Sequence, residues 1–151
     1  MIGYAAFFIS AFLLASWIDY RTFILPNWLT LPLIGVGIIL NTWGDSAFCT
    51  AAEALLGAVL GYGVLRLVDV VYFQIKRQHG IGQGDAKLLA AIGAILGWQA
   101  IFPVILIAAV LGLAYAMVMI GLKKIQRQEA IPFGPFLSIA ASFFMLLHIG
   151  L

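Results

Sequence analysis

Charge is scarce in this chain: eight lysines and arginines and six acids among 151 residues. A water-soluble domain of that length needs far more charge to cover its surface. Cysteine is scarcer still. Cys49 stands alone, which excludes a disulfide framework and a multi-cysteine zinc site. A formal net charge of +2 is too small for a nucleic-acid surface, and the basic residues fall between apolar runs. The first apolar run, Met1 to Ile18, has no basic stretch before it and no clear small-residue cleavage site after it. It reads as a retained first span rather than a cleaved signal. Linkers, low-complexity tracts and convincing repeats are also missing, so residues 1–151 read as a single domain.

What remains is apolar. Hydrophobic residues make up 64% of the chain, and the mean hydropathy is +1.12. A helix rises about 1.5 Å per residue and a bilayer core is about 30 Å thick, so one crossing takes about 17–25 apolar residues. On that basis the chain divides into spans over about 2–18, 28–43, 50–73, 85–98, 100–122 and 131–150. Pro26-Asn27 opens the second span, with Asn27 as a helix cap. The uncharged run from Leu88 to Leu122 is too long for one crossing, and Gly97-Trp98-Gln99 with Pro103 offers the turn that splits it. The expected fold is an all-α polytopic membrane protein of about six transmembrane helices.

Positive charge orients the set. With the N-terminus outside, Arg21, Lys76, Arg77, Lys123, Lys124 and Arg127 all fall in inner loops. Lys87 lies just inside the fourth span from the same face, and Arg66 can snorkel toward it. Asp45 is in an outer loop with no Lys or Arg. The fourth span is short, which puts Asp85 at or below the inner interface. Gly57 with Gly61, and Gly93 with Gly97, have the spacing of close helix packing.

The six acids separate into two groups. Asp45 and Glu53 lie on or near the outer face and Glu129 in a mixed-charge inner loop, where solvation accounts for them. Asp69 follows Arg66 by three residues, as an i,i+3 ion pair would. Asp19 and Asp85 differ, because each marks a junction between a span and an inner loop, at the same depth. Taken singly, Asp85 could be a charge favoured by a helix N-terminus, and Asp19 a partner of Arg21. Together they favour a site. Two close carboxylates repel, share one proton and titrate in separate steps. One can then take a proton from water while the other donates one to a scissile carbonyl.

Rival chemistries lack parts. Cys49 is on the outer side, His79 and His148 lie near opposite faces, and no serine has a His and an acid on its own side. The stretch Gly80-Ile81-Gly82-Gln83-Gly84-Asp85 lets the backbone bend and approach a substrate closely. A plain flexible loop is the alternative there. A nucleotide loop is not, because neither a preceding strand nor G-x-G-x-x-G nor a Lys-Ser/Thr pattern is present. Lys87 would either hold the Asp85 charge or orient a lipid phosphate.

Three blocks carry a family resemblance: Ile18-Asp19 through Leu25-Pro26-Asn27 and on to Leu33; Gly82-Gln83-Gly84-Asp85-Ala86-Lys87-Leu88-Leu89 through Gly97-Trp98; and Ile131-Pro132-Phe133-Gly134-Pro135-Phe136-Leu137. In that order they resemble the type IV prepilin peptidases, the bacterial G-x-G-D membrane aspartyl proteases. The resemblance implies a six-helix core in the bacterial inner membrane that removes leaders from prepilin or pseudopilin precursors. It implies a cut on the cytoplasmic side, after a glycine that precedes a hydrophobic segment. It carries the catalytic roles to Asp19 and Asp85 and matches the motif glycines to Gly82 and Gly84. Lys87 falls on the basic residue that follows the aspartate, and no cofactor is expected.

The chain departs from long members of that family. They carry further acids in the first block, where Arg21 and Asn27 stand here, which leaves Asp19 as its one carboxylate. They also carry an N-terminal domain with paired cysteines, linked to methylation of the mature pilin. Peptidase activity without methyltransferase activity, and without that domain's zinc, is therefore expected. A proton- or ion-coupled transport module and a non-catalytic assembly factor are the alternatives from other classes.

Overall fold

The chain is described by a computed structural model over residues 2–44, 48–77, 80, 82–124 and 131–150. Asp45, His79, Ile81, Arg127 and Glu129 lie outside the described residues. The described residues form six α-helices in order: α1 (Ile2–Thr22), α2 (Asn27–Trp43), α3 (Ala51–Lys76), α4 (Gln83–Leu96), α5 (Ile101–Gly121) and α6 (Gly134–His148). Among the described residues there is no strand.

The helix ends follow from local chemistry. Thr50 caps α3: its hydroxyl accepts the Glu53 N–H at 3.3 Å, and the Glu53 carboxylate accepts the Thr50 N–H at 2.8 Å. This reciprocal pair satisfies two donors that a helix start would leave unbonded. The Glu53 carboxylate also accepts a hydrogen bond from Gln99. Glu53 is thus not the merely solvated charge expected from sequence, but a cap that ties α3 to the turn after α4. Asn27 also differs from expectation. Pro26 occupies the cap position of α2 with no side-chain cap bond, and the Asn27 side chain bonds elsewhere.

The long uncharged run breaks at Gly97. Its φ of +84° is a left-handed conformation that side chains other than glycine's disfavour, and its N–H returns to Gly93 O at 2.9 Å. A single 3₁₀ turn, Trp98–Ala100, leads into α5. Pro103 does not make the turn. It sits in the first turn of α5, where a missing N–H costs no intrahelical bond.

The fold is an all-α polytopic membrane protein. α1, α3 and the stretch Trp98–Gly121 are long and apolar enough to cross a membrane, and α6 is a shorter apolar helix. α5 buries only Ile101, Val104 and Ala108, while Phe102, Leu106, Val110, Leu113 and Met117 point outward, as lipid-facing residues do. α4 is the reverse: Asp85, Ala86 and all of 88–96 are buried. Its 14 residues rise only about 21 Å. Because protein encases it, α4 needs no apolar surface of bilayer length.

α3 makes the largest interface with α4, α2 covers another side of it, and α1 packs on α6, which also meets α5. The α3–α4 contact depends on small residues. A Cβ on Gly57 or Gly93 would strike the carbonyl oxygen of the other, and one on Gly61 would lie 2.5 Å from Leu89 O. Close packing was expected of four glycines; Gly57, Gly61 and Gly93 provide it, and Gly97 makes the turn instead.

Candidate active site

The buried face of α1 runs Ala5, Phe8, Phe12, Ala15, Asp19. These positions alternate by three and four residues, the spacing of one helical stripe. Asp19 therefore occupies a core position, one turn past Ala15, although it carries a carboxyl group. The carboxylate meets α6: Oδ2 accepts the Gly134 N–H at 3.0 Å across 115 residues of chain. The first N–H groups of a helix have no intrahelical acceptor, and Asp19 supplies one to α6. A Cβ on Gly134 would lie 2.6 Å from Oδ2, so any side chain there would displace the Asp19 carboxyl group.

Asp85 lies in the first turn of α4, with Gly82 at the cap position and its own N–H bonded to Gly82 O at 3.1 Å. The Gly82 backbone lies against the carboxyl group, since a Cβ there would be 3.2 Å from Oδ2. The other oxygen, Oδ1, is buried without a hydrogen-bond partner among the described residues. Gly84 has a different task. A Cβ on it would come 2.7 Å from the Leu25 Cβ and 3.1 Å from the Leu25 N. The absence of a side chain seats the start of α4 directly on the turn between α1 and α2.

Asp19 and Asp85 line one cavity of about 640 Å³, together with Phe23, Val64, Leu65, Val68, Gly80, Gly82, Ile105, Ile131, Pro132 and Phe133. The cavity is therefore apolar on most sides, with two acids and two glycine backbones forming its polar portion. Among the described residues no three His, Cys, Asp or Glu side chains gather as a metal site.

The other residues singled out from sequence stand at the margin. Lys87 Nζ donates to Asn27 Oδ1 at 2.6 Å. The bond links α4 to the start of α2, so Lys87 is directed to a neutral amide rather than holding the Asp85 charge. Pro26 begins that same turn. Arg21 does not pair with Asp19; its guanidinium lies 4.6 Å over the Trp17 ring, and the Asp19 side chain faces α6 instead. Arg66 and Asp69 form the expected ion pair at 3.2 Å.

Sequence reasoning missed two participants and read a third, Gly80, only as part of a glycine-rich bend. Gly134 belongs to a block noted above, but nothing local announces that it faces Asp19. Phe23, with a left-handed φ of +54°, ends α1 and enters the cavity wall. Gly80 also lines the cavity, and its N–H is bonded to Asp69 at 3.0 Å. The stripe periodicity of α3, which ends on Asp69, was the signal that could have marked this residue as more than an ion-pair partner.

Comparison with known proteins places this geometry in context. Residues 6–117, which include both aspartates, match the type IV leader peptidase family. A Burkholderia pseudomallei protein named prepilin leader peptidase/N-methyltransferase is 45% identical over 89% of this chain and 43% of its own length. Proteins of the same name are 42% identical in Xanthomonas campestris pv. campestris, over 91% of this chain and 48% of theirs, and 37% identical in Pectobacterium carotovorum, over 95% and 51%. The chain thus spans about half the length of the curated relatives it matches. No solved structure matches it.

Proposed function

The chain belongs to the type IV leader peptidase family, and from that premise we propose that it is an aspartic endopeptidase removing leaders from type IV prepilin or pseudopilin precursors. The observation that carries this reading is the shared cavity: Asp19 and Asp85, 66 positions apart in sequence, line one apolar space. The two aspartates account for the peptidase half of the relatives' double name.

The chemistry needs the pair to hold one proton. The ionised carboxylate takes a proton from a water molecule as the water oxygen attacks the scissile carbonyl. The protonated carboxyl donates its proton to the carbonyl oxygen, and a gem-diol forms. The carboxyl that took the water proton then gives it to the amide nitrogen, the other carboxylate takes one from a gem-diol hydroxyl, and the C–N bond breaks. A carboxyl and an amine leave, and the pair again holds one proton. An apolar, water-poor wall strengthens each of these electrostatic interactions.

The cavity also supports a substrate class. Val64, Leu65, Val68, Ile105 and Phe133 suit a hydrophobic segment, and the exposed backbone at Gly80 and Gly82 suits a glycine beside the cut. In this reading the cut follows a glycine that precedes the hydrophobic segment, on the cytoplasmic side of the bacterial inner membrane, with the N-terminus outside. The distribution of Arg21, Lys76, Arg77, Lys123, Lys124 and Arg127 supports that orientation. A transport relay would call for acids spread through the depth of the membrane, whereas these two share one cavity.

The test is co-expression with a precursor and separation of leader-bearing and processed forms on a gel. Asp19→Asn and Asp85→Asn should each slow cleavage by about 10²–10⁴-fold, the usual contribution of a positioned acid or base, while remaining in the membrane fraction. Normal processing by either variant removes that residue from the mechanism. Reporter fusions after Lys124 should report cytoplasm and fusions at Asp45 the opposite side. The reverse pattern would refute the orientation.

A further inference from the structure

We propose that Asp69 and Gly80, both outside the Gly82-x-Gly84-Asp85 motif, form a clamp that sets the position of Asp85, making Asp69 a positioning residue. The buried face of α3 runs Ala54, Gly57, Gly61, Leu65, Asp69, a stripe of apolar and small residues that ends on a carboxylate. Asp69 is 2% exposed, and its two oxygens are divided. Oδ2 takes Arg66 Nη1 at 3.2 Å, while Oδ1 accepts the Gly80 N–H at 3.0 Å.

An ion pair alone does not account for this arrangement. The Arg66 side chain is 37% exposed while that of Asp69 is 3% exposed, so Arg66 meets the carboxylate from one side only. Burying a carboxylate is costly unless its charge and its lone pairs are both satisfied. Arg66 balances the charge from the solvent side, which leaves the inward oxygen to hold backbone.

Gly80 is fitted to that seat from its other side. A Cβ there would come 2.7 Å from Tyr72 Cδ1 and 3.0 Å from Cε1, so its backbone lies directly on the Tyr72 ring. Arg66, Asp69 and Tyr72 follow at intervals of three along α3, so one helix supplies the whole seat. The segment carrying Asp85 is then fastened at two points: Gly80 on α3, and Gly84 against Leu25. Gly80, Gly82 and Asp85 line the same cavity as Asp19. Fastening the approach to α4 at Gly80 and the start of α4 at Gly84, the residue before Asp85, limits the positions open to the Asp85 carboxyl group.

The kinetic part of the test rests on the peptidase reading, and the exchange part does not. Hydrogen–deuterium exchange is followed in the full chain in detergent, alongside cleavage of a synthetic precursor peptide. Asp69→Ala should speed exchange of the Gly80–Asp85 segment at least about tenfold, because its backbone loses an acceptor, with α5 and α6 unchanged. It should lower kcat by about 10²-fold with little change in KM, as small misplacement of a reacting group does. Asp69→Asn keeps one acceptor oxygen for the Gly80 N–H and exchanges the oxygen that faces Arg66 for an NH2, so it should restore most of kcat if the backbone bond is what matters. Gly80→Ala should resemble Asp69→Ala, and adding Tyr72→Ala should relieve it. Unchanged exchange in Asp69→Ala overturns the clamp whatever the cleavage assay reads. So does an Asp69→Asn variant as slow as Asp69→Ala, which would mean that charge pairing is what matters. A wild-type protein that does not cleave refutes the peptidase reading, and exchange alone then decides the clamp.

Discussion

At the Leu96 end of α4, a buried amide side chain has every hydrogen-bonding position filled. The Asn41 Nδ2 donates to Ala94 O at 2.9 Å and Ile95 O at 2.8 Å, and its Oδ1 accepts the N–H groups of Phe48 and Cys49 at 2.8 and 3.3 Å. At the Gln83 end, the buried Asp85 keeps one oxygen without a partner among the described residues. Both side chains are under a tenth exposed, so burial does not separate them. Asn41 satisfies helix-end carbonyls that would otherwise be lost acceptors. Asp85 has acceptor capacity unfilled among the described residues and lines a cavity shared with a second acid. A filled inventory belongs to a structural clasp, whereas an unfilled one beside a cavity leaves room for a water or a substrate amide.

Substitutions at the two ends should accordingly fail in different ways. Beyond the aspartates themselves, the largest expected effect is on rate: Gly134→Ala forces a Cβ onto Asp19 Oδ2 and should slow cleavage about 10²-fold through misplacement of the carboxyl group. Thermal unfolding should shift far less than the rate. A Gly134→Ala protein cleaving at the wild-type rate would show that Asp19 need not sit at the start of α6.

Asn41→Ala should do the reverse. It leaves the Ala94 and Ile95 carbonyls and the Phe48 N–H without their partner, at a cost of about 1–3 kcal/mol for the buried groups concerned. Detergent thermal melts should record the loss, while the folded fraction cleaves normally. A loss of kcat without a loss of stability would erase the distinction between the two ends.

The smallest effect concerns Cys49, beside that clasp. Burial, and then the neighbouring Glu53 charge, push its thiol up to about 11. The thiolate is the reactive form, and a raised pKa keeps the thiol protonated until pH approaches that value. Alkylation by iodoacetamide at pH 8 should therefore be slow, and should accelerate as pH rises. Rapid labelling at pH 8 would mean that the clasp opens readily.

Much of the architecture was legible from local pattern. Apolar runs of span length and the Arg66–Asp69 spacing each depend on residues near one another in the chain, and each appears in the fold. The misreadings share a cause. Asn27 has the chemistry of a cap, yet it accepts from Lys87, which is distant in sequence. Gly97 has packing spacing, yet its backbone turns left-handed. Glu53 lies near a surface, yet Gln99 is folded back onto it. In each case the residue type was compatible with two environments, and a distant segment chose between them.

By itself, the sequence determined that the chain is helical, that it must satisfy its backbone within a bilayer, and that Asp19 and Asp85 are the acids standing at span boundaries. Hydropathy and scarcity of charge suffice for that, because the cost of placing polar groups in lipid is paid segment by segment. Only the tertiary structure decided that α4 is encased by protein, that the start of α6 is bonded to Asp19, and that Asp69 reaches Gly80. Those relations are contacts between segments far apart in the chain. No periodicity encodes a partner, so they exist only once helices pack closely enough for a missing Cβ to matter.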